Sequence, residues 1–530
     1  MQFASFDLED PVYSAFGFRF SLQLTTLENL YGVDPERVQV REAGDTFQLR
    51  CDRLSWAGQQ QRAEGELEIE LRRESGGSVR ARLRVRAPAP VRTAKLVLRD
   101  LEPPLSIRWP GAVEAAVGAY GELLAYPERL PAPLACIGCG DESLGLRAED
   151  REVRPKRFAA WVERIGPLAG RGTVELIHEE AASRFGMQLD TPDWVLERGA
   201  APDAVERAHL EFAERECGLV PWESRSDVPA WARELRLVAT LHGMHFSGRV
   251  FLGYAEMLEI LRFLTGRLPG RHILAYLPGW EGRYYWQYGD YRPDERLGGP
   301  QGFAALCQGA RALGVHVMPM FGANCANLRL PGVRDLPSEA VLASATGNRF
   351  HGNQPDWDLA RAHDTGWQAW FNPGHPAWRD KLSGSIEALA GEYGFDGVFL
   401  DTIHAWTNDP RHPVTDGIRA LAERLRKSIP GVLLAAEADY DALLPLFPLF
   451  QRPWWTAPAP WTIRYVRRFG HLCEGEPRGF TGVHEAGVHH SDAWHPGPGT
   501  LPTVAFQDGT LEACRDDLGR LLDALAQAPA

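Results

Sequence analysis

The stretch Tyr393–Asp441 constrains this chain more than any other. It reads YGFDGVFLDTIHAW, then a span with apolar residues at helical spacing, then GVLLAAEADYD. Phe395–Leu400 and Val432–Ala436 are short apolar runs, the length of strands buried on both faces. They end in Asp401 and Glu437. Between them, Ile418, Leu421 and Leu425 mark one face of a helix over Val414–Lys427. Strand, helix, strand is one βαβ unit, so the two strands are expected to be parallel. Both carboxylates then lie at the C-terminal edge of the sheet, where barrel enzymes keep their reacting groups. A pair of carboxylates there suits glycoside cleavage, one as nucleophile and one as acid. Each alone could be a turn former or helix cap. Their occurrence on successive strands favours the pair.

The same alternation extends in both directions. Strands are expected at Leu235–Leu241, Ile273–Pro278 and Val315–Phe321, with helices at Tyr254–Leu264, Gly302–Leu313 and Pro376–Tyr393. A long insertion runs from Gly322 to Gly374. Further strands are expected at Leu446–Phe450 (six), Gly479–His484 (seven) and Leu501–Phe506 (eight), before a closing helix at Leu511–Ala526. Eight strand candidates suit an α/β fold of the (β/α)₈ TIM-barrel type. An open doubly wound sheet is the alternative, but no glycine-rich phosphate loop follows a strand.

The N-terminal part reads differently. Glu64–Leu71 and Val79–Val85 alternate strictly between apolar and charged residues, so one face is buried and the other solvated. Glu-rich and Arg-rich strands can pair through a turn at Glu74–Ser78. Further strands at Val38–Val40, Thr46–Arg50, Ala94–Leu98, Phe158–Glu163 and Thr173–His178 suggest a β-sandwich. The expected organisation is a β-sandwich domain over 1–200, a helical linker over 201–229 and a catalytic barrel over 230–530.

GFDGVFLDTIHAW, with AWFNPGHPAWRDKL just upstream, resembles the fourth-strand region of retaining glycosidases of the α-amylase superfamily and its relatives, the endo-α-N-acetylgalactosaminidases among them. The resemblance implies that Asp401 is the nucleophile and Glu437 the acid/base of a retaining hydrolase of α-linked sugars. It also implies a third acid downstream, for which Asp492 is the available stand-in.

Fourteen of the 16 histidines and 12 of the 17 tryptophans follow residue 225, which assigns the site to the barrel half. Sugars offer apolar faces and many hydroxyls, so their sites combine aromatic platforms with a few placed polar groups. The loop after strand two, GWEGRYYWQYGDY, supplies Trp280, Tyr285, Trp286 and Asp290. His242 and His245 follow strand one, Asn324 follows strand three, and His404 and Trp406 follow Asp401. Glu485, His489, His490 and Asp492 lie in a histidine-rich run that lacks paired metal-ligand spacing. No metal and no cofactor are expected. Cys136–Cys139 is a lone CxxC, read as structural.

The net charge of −13 argues against a nucleic-acid partner and fits a neutral glycoside or oligosaccharide. No stretch reaches the length of a membrane helix, no signal peptide is recognisable, and scattered cysteines suit a cytoplasmic setting. Competing readings are a barrel that binds carbohydrate without cleaving it and a glycosidase pairing Asp401 with Glu485. A metal-dependent amidohydrolase would want an HxH motif on strand one. The sugar, the linkage, endo or exo action and the oligomeric state are not encoded legibly.

Overall fold

The computed structural model describes all residues other than 1–10, 112–113, 246–247, 284, 349–367, 439, 453–459, 472–493, 508 and 528–530. The protein is mixed α/β and divides into two units. One comprises Met1–Leu219 with Asn408–Arg411; the other comprises Val220–Thr407 with His412–Ala530.

The first unit is built on a large antiparallel sheet of 16 strands. Its period-two sequences form the expected hairpin. Gln61–Arg73 pairs with Val79–Leu101, setting Glu66, Glu68 and Glu70 opposite Arg86, Arg84 and Arg82. The alternate residues Leu67, Ile69, Leu71, Ala81 and Leu83 are buried. A one-residue slip would turn them all to water, so the apolar face fixes the register. The half-exposed ion pairs opposite, such as Arg84–Glu68 at 3.3 Å, add little stability. Val79–Leu101 is the hub: its first half pairs with Gln61–Arg73, and its second half pairs with Phe18–Thr26 on one side and Gly172–Glu179 on the other. Partners change around Pro88 and Pro90, which have no N–H to give a ladder.

The segment expected as a linker is packed. Helix Pro202–Glu216 buries Val205 against Ala132, Leu134 and Cys136. Gly145 permits that approach, since a Cβ there would lie 2.4 Å from Val205 Cγ2. Apart from Asn408–Arg411, the chain beyond Leu219 belongs to the second unit. There the buried Arg225 holds Asp227 at 2.8 Å through two nitrogens and donates to the Leu444 carbonyl at 2.6 Å. Cys136 and Cys139 are buried thiols three residues apart on one strand, and burial pushes the Cys136 thiol up to about 12.

The second unit is a nearly closed parallel sheet. Its strands are β1 (Leu237–Leu241), β2 (Ile273–Leu277), β3 (His316–Gly322), β4 (Gly397–Asp401), β5 (Leu433–Glu437), β6 (Leu449–Gln451), β7 (Arg467–Phe469), β8 (Thr500–Leu501) and β9 (Thr503–Phe506). The order is β8-β7-β6-β5-β4-β3-β2-β1-β9. Only Pro502 separates β8 from β9, so the two ends of the sheet are consecutive in the chain. The five strands β1 to β5 are buried on every residue except His316, as their apolar runs require. Helices α1 (Tyr254–Thr265), α2 (Gly299–Ala312), α3 (Pro376–Tyr393), α4 (Val414–Ser428) and α5 (Thr510–Gln527) complete the unit. Pro376 opens α3, where its missing N–H costs nothing, and Gly394 at φ +69° ends it. Ile418, Leu421 and Leu425 of α4 are buried as read.

Strand seven needs correction. The strand that pairs with β6 is Arg467–Phe469, whereas Gly479–His484 lies outside the described residues. Three residues, two of them arginines, do not read as a buried strand. Arg468 is nevertheless buried, and its guanidinium donates to Thr462 Oγ1. Among the described residues no helix is long and apolar enough to cross a membrane.

Candidate active site

The C-terminal edge of the parallel sheet carries a layer of polar residues set by register. Gly322 pairs with Asp401 across β3 and β4, and Glu437 pairs with Gln451 across β5 and β6. Leu400 pairs with Ala436, so Asp401 and Glu437 follow as neighbours. Both are buried. The two carboxyls interact electrostatically, so the charge on one opposes ionisation of the other.

The two carboxyls have different surroundings. Tyr288 donates its hydroxyl to Asp401 Oδ2 at 2.5 Å. Glu437 Oε2 accepts the Thr402 N–H at 2.9 Å and lies 3.3 Å from His404 Nδ1. Burial, then the charge of Glu437, push the Asp401 carboxyl well above the usual range. Burial acts on Glu437 in the same sense but is outweighed by His404, by the charge of His471 and by the Thr402 N–H, which bring it to about 2. The two surroundings push the carboxyls in opposite directions, Asp401 towards its protonated form and Glu437 towards its ionised form.

Asn324 is held behind β4. Its N–H reaches Thr402 Oγ1 at 3.3 Å, and its Nδ2 donates to the Ala405 carbonyl at 2.8 Å, fixing the loop that bears His404 and Trp406. Asn324 Oδ1 and Gln451 Oε1 are buried acceptors with no hydrogen-bond partner among the described residues. Trp406 is buried in the same loop.

The strand-two loop reaches Asp401 through Tyr288, a residue not singled out in the sequence. Trp280 packs beneath the loop: it stacks on Phe303 at 4.8 Å and spends its indole N–H on the Met320 carbonyl at 2.9 Å. Trp286 is half-buried under the Arg283 guanidinium at 4.4 Å. The Tyr285 ring lies 5.3 Å from that of Tyr288. Asp290 faces Arg292 at 3.5 Å, half in solvent. His242 is buried edge-on against Phe251 at 5.0 Å, with His245 also against Phe251. Glu485, His489, His490 and Asp492 lie outside the described residues.

Sequence reasoning missed Tyr288, Thr402, Gln451 and His471. Gln451 carried the signal that revealed Asp401 and Glu437, a polar residue ending an apolar run. His471 was hidden because strand seven was placed too far along. Glu281 was missed too: it is buried with neither carboxyl oxygen hydrogen-bonded among the described residues, and burial raises it to about 8. Among the described residues no group of three His, Cys, Asp or Glu is arranged to hold a metal.

No family model matches the sequence, and no curated protein matches it. Solved structures do match the fold. The α-N-acetylgalactosaminidase NagBb from Bifidobacterium bifidum superposes with a TM-score of 0.64 at 13% identity, over 97% of this chain and 93% of that one. The GH36 α-galactosidase AgaA from Geobacillus stearothermophilus gives 0.53 at 12% identity, over 97% and 74%. The α-galactosidase from Lactobacillus brevis gives 0.53 at 11%, over 97% and 70%. These matches do not confirm the resemblance of the fourth-strand motif to the α-amylase superfamily and the endo-α-N-acetylgalactosaminidases. The chain has the fold of solved α-N-acetylgalactosaminidases and α-galactosidases, which are glycoside hydrolases.

Proposed function

We propose that this protein is a retaining α-glycosidase in which Asp401 and Glu437 are the reacting pair. On this reading the parallel unit is a (β/α)₈ barrel whose eighth strand is broken at Pro502, and the antiparallel unit is a β-sandwich. The observation that carries the proposal is the placement of two buried carboxyls as neighbours at the ends of adjacent parallel strands. An inverting pair stands roughly 6.5–9.5 Å apart to admit a water, whereas a retaining pair needs only about 5–5.5 Å. Adjacent parallel strands lie about 4.8 Å apart, so side chains at their ends can reach the shorter separation. The substrate class we infer is a terminal α-galactoside or α-N-acetylgalactosaminide, by analogy with proteins sharing the fold.

In the first step Asp401 attacks the anomeric carbon as the bond to the leaving oxygen breaks, and Glu437 gives that oxygen its proton. In the second, Glu437 takes a proton from water, which attacks the same carbon and releases Asp401. The reaction requires Asp401 to be ionised and Glu437 to carry the proton once the sugar has entered.

The opposite directions in which the two carboxyls are pushed favour a second reading with the roles exchanged, the ionised Glu437 attacking and the protonated Asp401 acting as acid. A fluorinated glycosyl fluoride that stalls at the covalent stage tests both. A labelled peptide containing Asp401 supports the first reading and one containing Glu437 the second. Hydrolysis of nitrophenyl α-glycosides with inversion at the anomeric carbon excludes both.

A further inference from the structure

We propose that Tyr288 is the positioning residue that makes Asp401 the nucleophile, gripping one carboxyl oxygen so that the group is aimed and kept ionised when substrate is bound. This rests on the reading of Asp401 and Glu437 as the reacting pair.

Tyr288 is fully buried, and its hydroxyl lies 2.5 Å from Asp401 Oδ2. Its path to that oxygen is built into β3. Gly322 is the register partner of Asp401, and a Cβ at Gly322 would stand 2.1 Å from Tyr288 Cδ2. The strand gives up a side chain at the one position where the phenol must cross it. The ring is braced by Tyr285 and by Tyr291 at 6.1 Å, and Tyr291 is itself tied to the Gly322 carbonyl at 3.0 Å. The backbone is fixed too, since the Tyr288 carbonyl accepts the Asn327 N–H at 3.0 Å. Little freedom remains for the hydroxyl except to donate to Asp401.

Donation matters because of what opposes it. Burial and the charge of Glu437 both favour a protonated Asp401, which cannot attack. A hydrogen bond to the carboxylate favours the ionised form. The phenol itself stays protonated, since burial and then the charge of Asp401 push it well above its ordinary value. The groups facing this contact are Glu437 beside Asp401, His404 and His471 beside Glu437, and Tyr285 and Glu281 near Tyr288.

The test is Tyr288→Phe, which removes one oxygen and keeps the ring, assayed on a nitrophenyl α-galactoside and α-N-acetylgalactosaminide. The expected result is a loss of about a hundredfold in kcat with KM within about threefold, comparable to removing one preorganised donor. The basic limb of kcat/KM, where the pair loses its last proton from Asp401, should also move to higher pH. Replacement of Tyr288 by a fluorotyrosine, which keeps both the packing and the donor, should retain kcat and shift that limb the other way. A Tyr288→Phe enzyme with unchanged kcat and pH profile overturns the assignment, as does a fluorotyrosine enzyme that leaves the limb unmoved. Asp401→Asn is run alongside. If it stays active, the reading of the pair itself fails; if it is inactive while Tyr288→Phe behaves as wild type, only the tyrosine assignment falls.

Discussion

Thr402, the residue that follows Asp401, donates its backbone N–H across to Glu437 Oε2 at 2.9 Å. It does so from a left-handed conformation, φ +60°, and Ala438, which follows Glu437, is left-handed as well at φ +49°. Each carboxyl strand thus turns sharply right after its carboxyl, and the first turn aims an amide at the second carboxylate. Thr402 anchors its turn further by donating its hydroxyl to the Asp401 carbonyl at 2.6 Å.

Ala438→Gly tests whether that conformation is held under strain. A left-handed alanine costs about 1 kcal/mol or more, while glycine adds a comparable loss of chain entropy. The substitution should therefore leave the melting temperature unchanged or slightly raised. Alanine-to-glycine changes at ordinary strand positions lose about 0.5–1 kcal/mol. Calorimetry showing a loss of that size would mean the turn is unstrained.

His404→Gln should move the acid limb of kcat/KM upward. The active pair holds one proton, and the second binds Glu437, which is held at about 2 by groups that include His404. Without the histidine's charge, Glu437 takes that proton at a higher pH, by on the order of one unit. An acid limb left unmoved by this substitution would show that His404 does not set Glu437's charge.

Asp401→Asn should abolish turnover and stabilise the fold. A carboxyl whose folded pKa is raised contributes stability that is complete below its unfolded value and erodes as pH rises towards the folded one. Asparagine carries no such penalty. The variant's melting temperature should exceed the wild type's at about pH 8, by on the order of a few degrees, and approach it at about pH 4. Equal melting points at both values would argue against a proton-bearing Asp401.

Glu281→Gln follows the same sign. Burial lifts this carboxyl from 4.5 to about 8, so wild-type stability falls across that interval by about 1.4 kcal/mol per pH unit at most. The glutamine variant should show a flatter stability–pH curve between those values, measured by urea unfolding. A parallel curve would mean that Glu281 is solvated.

The parts of this fold legible in the sequence are those whose signal is local. Phe395–Leu400 and Val432–Ala436 are buried on both faces, so their apolar runs end abruptly at Asp401 and Glu437. Pro376 and Gly394 bracket α3 by backbone rules alone. The short strands β6 to β8 were harder, because Leu449–Gln451, Arg467–Phe469 and Thr500–Leu501 hold only two or three residues each. Their neighbours rather than their composition keep them in the sheet. In the strand-two loop, aromatic density located the segment but not the residue. Gly279, Gly282 and Gly289 all have positive φ, and the turns they make decide that Tyr288 meets Asp401 while Trp280 goes under the loop.

The break at Pro502 has a consequence for biosynthesis. β9 pairs with β1, Val238 lying beside Thr503, so the first strand of the parallel unit waits until Thr503–Phe506 has left the ribosome. Until then β1 is an unpaired edge of apolar backbone, the kind of surface that invites mispairing between nascent chains. The antiparallel unit, apart from Asn408–Arg411, is synthesised entirely before that edge exists.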